Sequence, residues 1–85
     1  MEKQTDLKTV RNKVVGIKQL LQELQKSNVV CVYLAEDVEA HLQQKIRREA
    51  ETAGVALERV STMELLGQLC GIEVGAACAG ILKEK

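Results

Sequence analysis

The sequence predicts an α/β fold, a three-layer α/β/α sandwich built around a small mixed four-stranded sheet. Three observations point there. Val29 to Ala35 is an unbroken apolar run rich in β-branched residues, the length and composition of a strand covered on both faces. Ile17, Leu20, Leu21 and Leu24 recur at helical spacing just before it. Strand-like and helix-like segments then alternate to the end, which places crossover helices on the faces of a sheet.

Taken in order, residues 5–12 are a short amphipathic helix candidate with Leu7 and Val10 as its apolar points. Val14 and Val15 read as a brief strand ended by Gly16. The helix from Ile17 carries a polar stripe of Lys18, Gln22 and Gln25 opposite its leucines and closes at Ser27 and Asn28. After the apolar strand comes an acidic turn, Glu36-Asp37-Val38-Glu39, and then a helix over 39–52. Leu42, Ile46 and Ala50 form its inner side, and Lys45, Arg47 and Arg48 its wet side. Gly54 stops it, and residues 55–60 are the next strand. Ser61-Thr62-Met63-Glu64 has capping-box spacing, with Ser61 and Glu64 as the reciprocal pair, opening a short helix that Gly71 ends after Cys70. Gly75 to Leu82 is all small or aliphatic. It suits a strand or a helix, and its two glycines favour a strand with close neighbours.

Composition bounds the function. The chain has 85 residues, which is one domain's worth, and no internal repeat or linker divides it, so 1–85 reads as a single domain. Apolar residues at 46% and charged ones at 28% exclude a disordered chain. With no proline and Tyr33 as the one aromatic, the core must be aliphatic, and a base-stacking sheet face is excluded. Net charge is zero, yet Lys3, Lys8, Arg11, Lys13, Lys18 and Lys26 fall within the first 28 residues against three acids. That asymmetry suggests one local anion-contacting surface, or simply a solvated lysine-rich start.

Enzymatic chemistry finds little support. His41 is the one histidine and has no partner motif. Glu36, Asp37 and Glu39 could hold a cation or serve as acid and base, but an acidic turn at a helix start also stabilises the helix dipole. Gly71-Ile72-Glu73-Val74-Gly75 lacks the third glycine and the strand-before, helix-after context of a dinucleotide fingerprint, and no lysine-serine pair makes it a P-loop. Cys31, Cys70 and Cys78 are odd in number and without metal-ligand spacing, so they read as buried reduced thiols. No metal and no cofactor is expected. Without a signal peptide or an apolar run approaching a bilayer span, the expectation is a cytoplasmic protein with no membrane contact. A monomer is expected too, because no helix keeps an unaccounted apolar face.

Three motifs carry a resemblance. Gly16-Ile17-Lys18-Gln19 opens a helix, a strand ends in Tyr33-Leu34-Ala35-Glu36-Asp37, and Leu66-Gly67-x-x-Cys70-Gly71-Ile72-Glu73-Val74-Gly75-Ala76-Ala77 follows. Together, from about Val14 to Leu82, they resemble the ribosomal kink-turn-binding family, which spans archaeal and eukaryotic ribosomal and guide-RNA proteins and small bacterial paralogues. The length and the Lys-Gln pair are most similar to the bacterial paralogues. The resemblance implies an α/β/α sandwich and a non-enzymatic RNA-binding role. Its implied partner is structured RNA, ribosomal or regulatory and not DNA, bent at an internal loop with sheared G·A pairs and a flipped-out nucleotide.

Carried over by position, the resemblance implies that Gly16 and Ile17 bring the backbone close to RNA. Lys18 and Gln19 would read guanine edges from a helix N-terminus, with Gln22 one turn on beside the same strand. Glu39 would stand near the flipped-out nucleotide, and Ile72, Glu73 and Val74 would cover it. Many relatives have Asn-Glu where this chain has Lys18-Gln19, and a basic residue where it has Gln22 or Gln68. Fewer cations mean fewer phosphate contacts and a shallower salt dependence. Taken alone, Lys18 and Gln19 also fit a solvated helix start, and Ile72 and Val74 ordinary core packing. The alternative is a protein-interaction or scaffold domain of the same fold, in which Ile72 and Val74 meet another protein.

Overall fold

In a computed structural model describing residues 12–83, seven elements follow in the order β1 (Lys13–Val15), α1 (Ile17–Gln25), β2 (Val29–Ala35), α2 (Ala40–Ala53), β3 (Ala56–Val60), α3 (Met63–Cys70) and β4 (Cys78–Leu82). The helix expected over 5–12 lies outside the described residues apart from Asn12, whose carbonyl accepts from the Leu82 amide. The sheet is mixed and four-stranded, in the order β1-β4-β2-β3. β4 runs antiparallel to both β1 and β2, while β2 and β3 are parallel and joined through α2.

The sandwich follows from which face each helix covers. α1 packs beside α2, and α3 packs on β2, β3 and β4. Leu20 of α1 presses directly on β4, where a Cβ added to Gly80 would meet its Cδ1 at 2.6 Å. Gly80 pairs with Val32, so Val32 shares the α1 side. The alternation of the strand turns Tyr33 and Ala79 to the side of α3. Leu20, Leu34, Ile46, Leu66, Val32 and Val60 are fully buried, the aliphatic core that the composition demands. Tyr33 is buried with them at 4% exposure and offers no stacking surface.

All three described helices end on a left-handed residue. Gly54 and Gly71 supply it for α2 and α3, as read from the sequence. α1 uses Ser27 at φ 57°, where Ser27 N donates to Leu24 O and Asn28 N to Glu23 O, the paired bonds of a Schellman turn.

Several expectations need correction. The capping box does not form on Ser61. Thr62 is the N-cap, and its Oγ1 accepts from the Leu65 amide at 3.0 Å. The strand expected over 55–60 starts at Ala56, and the one expected from Gly75 begins at Cys78, because residues 71–77 fold back along α3. β2 is not covered throughout: the ladder to β4 is irregular between Val29 and Cys31, and Val30 within that step is 52% exposed. Of the three free thiols, Cys70 and Cys78 are buried while Cys31 is only half-buried.

Candidate RNA interface

The ladders bring four connections to one end of the sheet. Gly16 N donates to Cys78 O at 2.9 Å, Ala35 N to Ala77 O at 3.0 Å, and Glu36 N to Val60 O at 2.7 Å. The exits of β1, β2 and β3 therefore lie in a row with the entry of β4. Gly16 to Gln19, the turn 36–39, the start of α3 and the loop 71–77 share that end, where open α/β sheets commonly bind their ligands.

On the β1 side, Gly16 sits at φ 108° and ψ 157°, a conformation essentially closed to residues with a Cβ. It turns the chain directly from strand into α1 and provides no side chain to cap the helix. The first helical bond is Leu20 N to Gly16 O, so the amides of Ile17, Lys18 and Gln19 precede the ladder. The first turn contains no acid, and Lys18 and Gln19 are exposed. Gln22 is exposed one turn further on, and Ile17 is half-buried against the core.

The β2 side has the opposite character. Glu36, Asp37 and Glu39 are all exposed, with Glu36 facing Arg59 at 3.8 Å. The turn is tied by Gln43, whose Nε2 donates to the carbonyls of Glu36 and Val38. Glu39 is the N-cap residue of α2 but makes no side-chain cap bond. Of the three acids in this turn, Asp37 also reaches another helix, its Oδ1 accepting from the amide of Met63 in α3 at 2.8 Å.

Between these sides runs the loop that enters β4. Ile72 N donates to Gly67 O and Ala76 N to Met63 O, so the loop retraces α3 from its end to its start. Ile72 packs against the core, Glu73 is exposed, and Val74 is 70% exposed. The apolar loop thus divides into an anchor, Ile72, and a tip, Val74. Met63, 38% exposed, borders Gly75. Asp37 and Gly67 fall within the motifs quoted from the sequence, but the contacts that they and Met63 make at this end join distant segments and leave no local sequence signal.

Burial raises Cys78, at the edge of this region, from the ordinary 9.0 to about 11. Burial also raises Cys70 despite the opposing charge of Lys13. Cys31 is raised by burial and by Glu58, against a hydrogen bond from Tyr33. Among the described residues no group of three or more His, Cys, Asp or Glu could hold a metal ion, and no helix is long and apolar enough to cross a membrane.

Fold and site together define a small α/β/α domain presenting one helix start and one apolar loop tip at the same end of its sheet. By sequence, the chain belongs to the ribosomal protein L7Ae/L30e/S12e/Gadd45 family, which it matches over residues 1–85. An RNA-binding protein of Caldanaerobacter subterraneus subsp. tengcongensis is 43% identical over 67 residues, covering 79% of this chain and 82% of its own length. The RNA-binding protein YbxF of Geobacillus stearothermophilus is 36% identical over 70 residues, 82% of this chain and 85% of that protein. Among solved structures, the Giardia lamblia 15.5kD RNA binding protein superposes with a TM-score of 0.79 at 20% identity, covering 87% of this chain and 62% of that one. These are ribosomal and RNA-binding proteins, and the family is not one of enzymes.

Proposed function

We propose that this chain binds RNA, and that its target is a kink-turn in a ribosomal or regulatory RNA, engaged by a single copy of the protein in the cytoplasm. The observation that carries this reading is the hydrogen bond from Gly16 N to Cys78 O, which joins the start of α1 to the chain leaving the Val74 loop. An uncapped helix start with Lys18 beside it attracts phosphate, and the exposed Gln19 and Gln22 amides can donate to and accept from base edges. The acids on the β2 side repel phosphate, so a nucleic acid would lay its backbone along α1 and turn bases toward Glu39 and Val74. Carboxylates accept from base amino and imino groups, and an exposed valine beside them suits the face of an unstacked base.

The test is binding to a standard kink-turn RNA and to a variant with its G·A pairs replaced, at two salt concentrations. Tight binding to the first alone is expected. Equal or absent binding would overturn the reading. A second reading, a protein-interaction domain of the same fold, draws on the exposure of Val74 and Met63. A partner retained after RNase treatment but lost in Ile72→Glu and Val74→Glu would favour it.

A further inference from the structure

Asp37 holds a segment of chain far from its own. Its Oδ1 accepts from Met63 N at 2.8 Å across 26 positions, and the Met63 carbonyl in turn accepts from Ala76 N at 3.0 Å. Gly75 lies against the same residue, with the site of its missing Cβ 3.2 Å from Met63 Cβ. Ala77 then returns to β2 through its carbonyl, which accepts from Ala35 N. The circuit runs from the acidic turn through the first residue of α3 and the loop back to the strand that leads into the turn.

Each end of the Asp37 bond also has restraints of its own. The turn is already held by Gln43 on the carbonyls of Glu36 and Val38 and by Glu36 N on Val60 O. The helix is already capped by Thr62 on Leu65 N. What the bond adds is the position of α3, with the loop attached to it, relative to the turn that bears Glu39.

We propose that Asp37 is a positioning residue for RNA binding, setting the gap between Glu39 and the Val74 tip in which an unstacked base would lie. This rests on the RNA reading of the site. Asp37 itself need not touch RNA; the Asp37–Met63 bond, relayed by Met63 to Ala76, decides how closely the loop approaches the turn.

The test compares Asp37→Ala and Asp37→Asn with the unaltered protein in two measurements. One is affinity for a kink-turn RNA and for the same RNA made abasic at its extruded nucleotide. The other is amide hydrogen exchange at Met63 and Ala76 in the free protein. Asp37→Ala should weaken binding to the intact RNA about fivefold, leave the abasic RNA nearly unaffected, and speed exchange at both amides, as expected for loss of a helix-capping acceptor. Asp37→Asn keeps the acceptor oxygen and should behave as the unaltered protein. Equal loss on both RNAs, no loss on the intact RNA, or an Asn variant as impaired as Ala would overturn the proposal. If the unaltered protein binds neither RNA, the RNA reading fails separately. Exchange at Ala76 then decides whether Asp37 positions the loop, and unchanged exchange overturns that as well.

Discussion

Gly67, buried in α3, lies with its bare Cα face against the backbone of Val74, and a methyl group there would overlap the Val74 carbonyl oxygen. The clash is with backbone, so no rotamer change relieves it. Gly67→Ala must push the loop off the helix, costing about 1–3 kcal/mol by analogy with overpacked cores. Urea denaturation should show that loss, and RNA affinity should fall along with it. Unchanged stability would mean that the loop is not seated on α3.

Lys18 and Gln19 are exposed in the first turn of α1. Lys18→Ala with Gln19→Ala should abolish RNA binding and leave the melting temperature within a degree or two, since alanine suits a helix and exposed substitutions are nearly neutral. Lys18→Ala alone should reduce the slope of log K against log salt by about one. Gln22→Lys should steepen it by a similar amount. Binding left intact in the double variant would remove α1 from the interface.

Gly16 and Gly54 both face open space, with nothing within 4 Å of an added Cβ, yet they should respond differently to alanine. Gly54 is left-handed at φ 70° and ψ 33°, which alanine adopts at a cost of about 1–2 kcal/mol. Gly16 at φ 108° and ψ 157° lies in a region reserved for glycine, so Gly16→Ala should cost more, toward about 3 kcal/mol, or reshape the start of α1. Thermal melts of the two variants side by side check the order.

Cys78 sets an alkaline limit. Its thiol titrates near 9.0 when exposed and at about 11 in the folded chain, so between those values the folded state holds the extra proton. Stability is therefore unaffected by this group below pH 9 and falls as pH rises from about 9 to about 11. Cys78→Ala should flatten that part of the profile in denaturation curves taken across the window.

Much of this architecture was legible locally. Leu20 and Leu24 are buried and Lys18, Gln22 and Gln25 exposed, as the period of α1 required. Gly54 and Gly71 ended their helices because only a residue at ease in the left-handed region completes those turns. The cap of α3 was misread by one residue, since Ser61 and Thr62 are both competent acceptors and only the path of the chain after β3 selects Thr62. Asp37 reads locally as one acid of the turn before α2, and its bond to Met63 in α3, 26 positions away, has no local sign.

By itself the sequence determined the class of fold, the kind of each described element from β1 to α3 and the polar stripe of α1, because hydrophobic period, β-branching and glycine act within a few residues. Only the tertiary structure decided that β4 inserts between β1 and β2. That insertion sets Gly16 beside Cys78, Ala35 beside Ala77 and Asp37 within reach of Met63. Strand order and cross-chain hydrogen bonds depend on how side chains such as Leu20 fit over Gly80, and that fit exists only once distant segments have met.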